Sequence, residues 1–207
     1  MTVLEFRKLL DIWTSNSWLC SHDFKCDDQI IEESIRVFQS DYSRWYPNDR
    51  TINVYNIQYT PQLIAMLLYR ISRNIYLSDL KSNIYGGFMG GVKDAYSLLA
   101  RHIGQIELFY SADIGEGLRI NHGVGTVVGA RCKIGKNCII HQNCTIGDRN
   151  GGRPIIGNNV IIYAGAMLLG NITIGDNSII GANSVVTKNC PPNSIMVGTP
   201  ARNIREQ

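Results

Sequence analysis

Two rhythms of apolar residues divide the chain. Over the first hundred positions the spacing is helical. Thr2-Val3-Leu4-Glu5 has the form of a capping box, opening a helix that carries Leu9, Leu10 and Trp13. Asp27 and Asp28 suit the N-cap of a second helix, with Ile31, Ile35 and Phe38 along one side. Thr60-Pro61 predicts the cap and first turn of a third, whose buried face is Leu63, Met66, Leu67, Ile71 and Ile75. Gly86-Gly87 and Gly90-Gly91 then interrupt the chain before a last helix bearing Leu98, Leu99 and Ile103.

From Val128 the rhythm changes to six. Val128, Ile134, Ile140 and Ile146 keep the beat, and after a break Ile156, Ile162, Leu168, Ile174, Ile180 and Val186 resume it. Gly often follows the aliphatic residue (Gly129, Gly135, Gly147, Gly157, Gly175, Gly181). Four places after it stands a small or β-branched residue: Cys132, Cys138, Cys144, Val160, Ala166, Ile172, Ser178, Ser184 or Cys190. Ile114 and Ile120 belong to the same pattern, two residues out of phase. Such a period predicts a stacked coil of very short strands. The aliphatic side chain points inward, the small one fills a tight interior position, and Gly tolerates the corner. Each coil buries its face only against its neighbours, so the array shares one continuous core.

Composition sharpens this division. Of the 20 Gly, 15 lie in residues 106–207, whereas 15 of the 18 aromatic residues lie in 1–105. A helical domain over 1–105 and a coil domain over 106–207 follow. With 207 residues, 44% hydrophobic and 18% charged, the chain is too apolar for a disordered one and large enough for a sizeable core. A net charge of +3 excludes a general polyanion binder such as a nucleic-acid protein. Glu5, Arg7, Lys8 and Asp11 break up any signal-peptide core, and the run Leu63 to Leu68 is far short of a membrane span. A cytoplasmic protein is expected. Four of the six Cys sit at the interior position of the repeat, where a thiol acts as a small hydrophobe. No CxxC occurs, so a structural zinc site is disfavoured.

The beat fails twice. Between Ile120 and Val128 it is two residues too long and contains Asn121-His122-Gly123. Between Ile146 and Ile156 it is four too long, with the sequence GDRNGGRP. Insertions in solenoids form loops, often on the working face. An imidazole there can take a proton from a hydroxyl near neutral pH. A turn histidine without chemistry is the plainer reading, and the residues alone divide evenly between the two. His141 shares a corner position and reads as structural; His22 and His102 carry no signal. A three-His metal site would need one more ligand than the two His of the repeat region, so no metal is expected.

The stretches IGEGLRINHG, VVGARCKIG, QNCTIG, LLGNITIGDNSIIGANSVV and PPNSIMVGTPARNI resemble the hexapeptide-repeat acyltransferases, and more narrowly their serine O-acetyltransferase branch. The resemblance covers about the last hundred residues, and extends weakly into the helical half through TPQLIAMLLYRI. It implies a left-handed parallel β-helix behind an all-α cap that mediates assembly, acetyl-CoA as cosubstrate with no permanent cofactor, and a homotrimer, possibly doubled into a dimer of trimers. It also implies that His122 is the general base and that Glu107, where the family carries an Asp, orients its ring. Gly147, Ala164, Ala182 and the region of Lys188 fall on CoA-contacting positions, and Lys188 or Arg202 would meet phosphates. Two acceptor positions depart from the branch: Asn121 replaces an Asp, and Arg153 replaces a His. Asn121 suits a neutral hydroxyl, and Arg153 a carboxylate or phosphate on the acceptor. A sugar of a cell-surface polysaccharide pathway is therefore the expected acceptor. L-Serine, for cysteine biosynthesis, is the alternative, and a non-catalytic scaffold the second.

Overall fold

A computed structural model describes residues 1–15, 23–82 and 91–205. Gly86, Gly87, Gly90, Cys20 and His22 lie outside the described residues. The chain separates into two compact units, Met1–Gly104 and Gln105–Gln207.

The first unit is helical: α1 Val3–Ser15, α2 Asp28–Ser43, α3 Val54–Gln58, α4 Pro61–Lys81 and α5 Val92–Gly104. The capping box forms at α1. Glu5 accepts from the Thr2 backbone N–H at 2.6 Å, and the Thr2 hydroxyl accepts from the Glu5 N–H at 3.2 Å. Asp27 caps α2 by accepting from Gln29 N. Thr60 occupies the N-cap of α4 with Pro61 following, but its hydroxyl donates back to the Asn56 carbonyl at 2.7 Å and makes no cap bond. The reason is α3, a single short turn that the sequence pattern did not predict and that brings the Asn56 carbonyl within reach. The apolar face expected on α4 becomes a fully buried stretch from Leu63 to Ser72, because α2 and α5 both pack on it. That burial takes in a charge. Arg70 forms a forked pair with Asp41 of α2, at 2.8 and 3.0 Å. No described helix is long and apolar enough to cross a membrane.

The second unit is a parallel β-helix. Its first face stacks β1 Glu107–Leu108, β4 Val127–Val128, β7 Thr145–Gly147, β10 Met167–Leu169 and β13 Val185–Val186. The second face stacks β2 Asp113–Ile114, β5 Lys133–Ile134, β8 Ile155–Ile156 and β11 Thr173–Ile174. The third stacks β3 Arg119–Ile120, β6 Ile139–Ile140, β9 Ile161–Ile162, β12 Ile179–Ile180 and β14 Ile195–Gly198, closed by the antiparallel β15 Ala201–Asn203. Every aliphatic residue of the beat is buried, as is every small partner four places on. The beat also starts earlier than the pattern suggested: Leu108 and Ala112 occupy the inward and small positions of the first coil. Burial pushes the Cys132 and Cys144 thiols up, which keeps them protonated and inert.

The glycines after the beat do not supply the corner's left-handed backbone. Positive φ falls two residues later, at Asn137 (58°), Asn159 (56°) and Asn177 (59°), where Asn tolerates that conformation. Those of the second face, Gly135, Gly157 and Gly175, are needed for close stacking. A Cβ on Gly135 would lie 2.6 Å from the carbonyl carbon of Gly157 one coil on.

Candidate active site

The coil-to-coil hydrogen bonds identify which residues are extra at the first break. Asn121 N donates to Ile140 O at 2.8 Å, and Asn143 N donates to Val124 O at 3.0 Å. The lower coil thus passes from Asn121 to Val124 while the upper passes from His141 to Gln142. His122 and Gly123 are the inserted pair. His122 takes φ of 57° and is exposed, and Val124 N closes a tight turn on its carbonyl at 2.5 Å. Gly123 lets the turn lie down, since a Cβ there would sit 2.4 Å from Ile106 Cδ1 and 2.5 Å from Ile120 Cγ2.

β1 runs beside this turn. Gly125 N donates to Gln105 O, and Glu107 N to Thr126 O, both at 2.9 Å. Glu107 is half-buried on the outward side of the first face, paired in register with Val127. His122 and Glu107 therefore belong to one edge of the prism, between the third and first faces. Gln142, Ala164 and Ala182 climb the same edge coil by coil, linked by Gly165 N to Gln142 O and Asn183 N to Ala164 O. Arg202, exposed on β15, pairs in register with Val197 at the top of the third face.

The other proposed positions lie elsewhere. Gly147, the second break and Lys188 all follow the first face, on its opposite edge. A methyl on Gly147 would meet nothing within 4 Å, so the backbone there is open to approach. Beside it, Arg149, Arg153, Asn171 and Thr187 line a cleft of about 650 Å³. Arg153 is engaged within its own loop: it pairs with Asp148 and donates to Ala130 O at 3.0 Å and Gly151 O at 2.9 Å. A single chain thus does not bring Arg153 and Lys188 to the His122 edge.

Asn121 and His141 stack in register at the end of the third face, with Tyr163 one coil further. Asn121 Nδ2 lies 3.4 Å from His141 Nε2, and its Oδ1 accepts from Arg119 Nε at 2.9 Å. The His141 ring stacks on Tyr163 with centroids 5.0 Å apart and planes 25° from parallel. Burial lowers the His141 pKa, and the neighbouring His122 and Arg119 lower it further, so this ring stays neutral near pH 7. Arg119 and Tyr163 went unnoticed in the sequence. The available signal was that 121, 141 and 163 each follow an inward aliphatic residue of one face.

The chain has known relatives. The bacterial transferase hexapeptide (six repeats) family matches residues 153–188. The chain is 37% identical over 148 residues to serine acetyltransferase of Helicobacter pylori, covering 70% of this chain and 81% of that one. It is 44% identical over 120 residues to serine acetyltransferase of Staphylococcus xylosus, covering 53% of this chain and 56% of the relative. The chain thus spans little more than half the length of that second relative. Its fold is similar to the crystal structure of Neisseria gonorrhoeae serine acetyltransferase in complex with serine. The TM-score is 0.68 at 29% identity, over 84% of this chain and 69% of the other.

Proposed function

The chain belongs to the serine acetyltransferase family, and from that premise we infer that it moves the acetyl group of acetyl-CoA onto the hydroxyl of L-serine. The observation that carries this reading is the inserted His122-Gly123 pair, which lifts one imidazole out of an otherwise regular coil. His122 takes the acceptor's hydroxyl proton as its oxygen attacks the thioester carbonyl carbon. A backbone N–H of the broken turn holds the tetrahedral oxyanion. The carbonyl then re-forms, the C–S bond breaks, and the CoA thiolate leaves with the proton that His122 carried. Glu107 orients the imidazole and stabilises it while charged. Transfer is direct, without an acyl-enzyme or a metal.

L-Serine replaces the sugar expected from the sequence. The sugar expectation leaned on Asn121 and on Arg153, and the Arg153 guanidinium is held by Asp148, Ala130 and Gly151 in its own loop. The gonococcal relative was crystallised with serine. One observation keeps a sugar as the second reading: Tyr163, 41% exposed and stacked with His141, offers an aromatic ring at the acceptor edge.

Acetyl-CoA lies along the prism edge. Ala164, Ala182 and Arg202 belong to the His122 edge, whereas Gly147 and Lys188 belong to the other. All five contact one CoA only if the two edges come from two copies of the chain. This supports a closed homotrimer, with the helical unit free to double it. Sedimentation of a fully active monomer would exclude it.

CoA release by the full chain tests the acceptor. Saturable turnover of L-serine, with higher kcat/KM than a panel of sugars and sugar nucleotides, is expected. The reverse order selects the sugar, and no release with any acceptor leaves a non-catalytic scaffold.

A further inference from the structure

The second break folds back on itself as a two-residue hairpin. Arg149 N donates to Gly152 O at 3.3 Å and Gly152 N to Arg149 O at 3.1 Å. Between them Asn150 and Gly151 take φ of 55° and 80°. Two successive positive φ values form the tight turn that matches a hairpin's twist, and Asn-Gly adopts it readily. The hairpin lies flat on the next coil. A Cβ on Gly152 would sit 2.4 Å from Asn171 N, and one on Gly170 would sit 3.2 Å from Arg149 Cβ. The Arg149 stem is thus seated over a residue without a side chain, on the wall of the cleft of about 650 Å³.

Charge in this cleft is unbalanced. Its charged lining residues are Arg149 and Arg153. Arg153 is neutralised by Asp148, whose carboxylate also accepts from Gly151 N at 3.3 Å. Arg149 is exposed, and its guanidinium makes no hydrogen bond or ion pair among the described residues. The two coils above contribute Leu169, Asn171 and Thr187, none of them charged, and Lys188 follows Thr187. Height along the stack matters as well. The lining belongs to the levels of β7, β10 and β13, one to three strands beyond β4, into which the His122 turn leads. At about 4.8 Å per strand this is about 5–15 Å along the coil axis. Within one chain a whole face also separates the cleft from His122. It is no place for the hydroxyl that gives up its proton, and it suits the far end of a long ligand.

Resting on the acetyl-transfer reading, we propose that this cleft binds a phosphate monoester, the 3′-phosphate of CoA, and that Arg149 is the residue that selects it. A planar guanidinium meets two oxygens of a terminal phosphate through parallel N–H···O bonds. CoA carries that phosphate at the opposite end of its pantetheine arm from the thioester. A molecule reacting at the His122 turn therefore extends its charged end along the stack. Gly147 and Lys188 lie on the same edge as the cleft, which fills the interval between them. Its volume is that of a pocket for a nucleotide-sized group, more than a three-carbon acceptor needs.

The test uses the full chain with acetyl-CoA and acetyl-dephospho-CoA, which differ only in the 3′-phosphate. Its loss should raise the donor KM by about 10–100-fold with kcat near native, since hydrogen bonds to charged groups are worth that much. Arg149→Gln should raise KM for acetyl-CoA by a similar factor. It should leave KM for acetyl-dephospho-CoA and for L-serine near native, because the partner of the guanidinium is then already absent. Arg149→Lys should recover part of the loss. Calorimetric binding of adenosine 3′,5′-bisphosphate, lost in Arg149→Gln, reads the contact apart from transfer. Equal KM for the two donors, or an unchanged KM for acetyl-CoA in Arg149→Gln, overturns the proposal and leaves acetyl transfer in place. An Arg149→Gln defect confined to the acceptor KM overturns it too, as does inorganic phosphate bound as tightly as the bisphosphate. Arg149-dependent binding of the bisphosphate without any CoA release would support the cleft assignment while overturning the transfer reading. Should Arg149→Gln fail to fold, the ranking of the two donors by the unaltered chain decides.

Discussion

Gly125 donates its backbone N–H to the carbonyl of Gln105 at 2.9 Å, tying the turn that carries His122 to the strand that carries Glu107. Both residues of the proposed base pair are thus held by main-chain bonds. Removing either side chain leaves that frame standing. His122→Ala should therefore lower kcat by about 10²–10⁴-fold, with melting temperature and acetyl-CoA affinity unchanged. Glu107→Gln should lower it less, because an orienting group moves no proton. CoA release measured beside a thermal melt checks both. Near-native turnover in His122→Ala would remove the assignment.

His141 makes a prediction about pH. Its folded pKa lies below the ordinary value, chiefly through burial and then through His122 and Arg119. Between that lowered value and about 6.5 the unfolded chain binds the extra proton, so stability is lost as pH falls through this window. His141→Leu abolishes that term. The variant's melting temperature relative to the native chain should rise between about pH 7.5 and about pH 5.5. A constant difference across the range would contradict the shift.

Two glycines that look alike in the repeat should respond oppositely to alanine. At Gly175 the new methyl would lie 2.2 Å from Pro192 N and 2.5 Å from Pro191 C, both main-chain atoms. Overpacking of this kind costs about 1–3 kcal/mol or more, about 2–4 °C of melting temperature per kcal/mol at this size. At Gly147 nothing lies within 4 Å, so Gly147→Ala should melt like the native chain. If acetyl-CoA approaches there, its KM rises all the same. Unchanged KM in a stable Gly147→Ala would move the cosubstrate elsewhere.

In the helical unit, Asp41→Ala should be severely destabilising. It leaves the Arg70 guanidinium buried without its forked carboxylate, and breaking a buried pair from one side costs about 3–5 kcal/mol. Replacing both partners together, as Asp41→Leu with Arg70→Met, should recover much of the loss. Chemical denaturation of the three chains decides it.

What the sequence determined by itself follows from short-range periodicity. An inward position that recurs every six residues must be aliphatic on every coil, so Val128 through Val186 disclose the strands without any three-dimensional information. The capping box at Thr2 and Glu5 is equally local, because its two groups are three residues apart. The two failures of the beat were likewise legible as insertions. The tertiary structure decided everything that depends on coil closure or helix packing. It singled out His122 and Gly123 as the inserted pair and engaged Arg153 within its own loop. It also assigned Gly147 and Ala164 to opposite edges of one face. Asn121 meets His141 twenty residues away, and Arg70 meets Asp41 across twenty-nine. No periodicity in either stretch encodes those meetings. They exist because stacking brings each coil directly over the last, and because burying α4 on all sides from Leu63 to Ser72 leaves Arg70 no water to face.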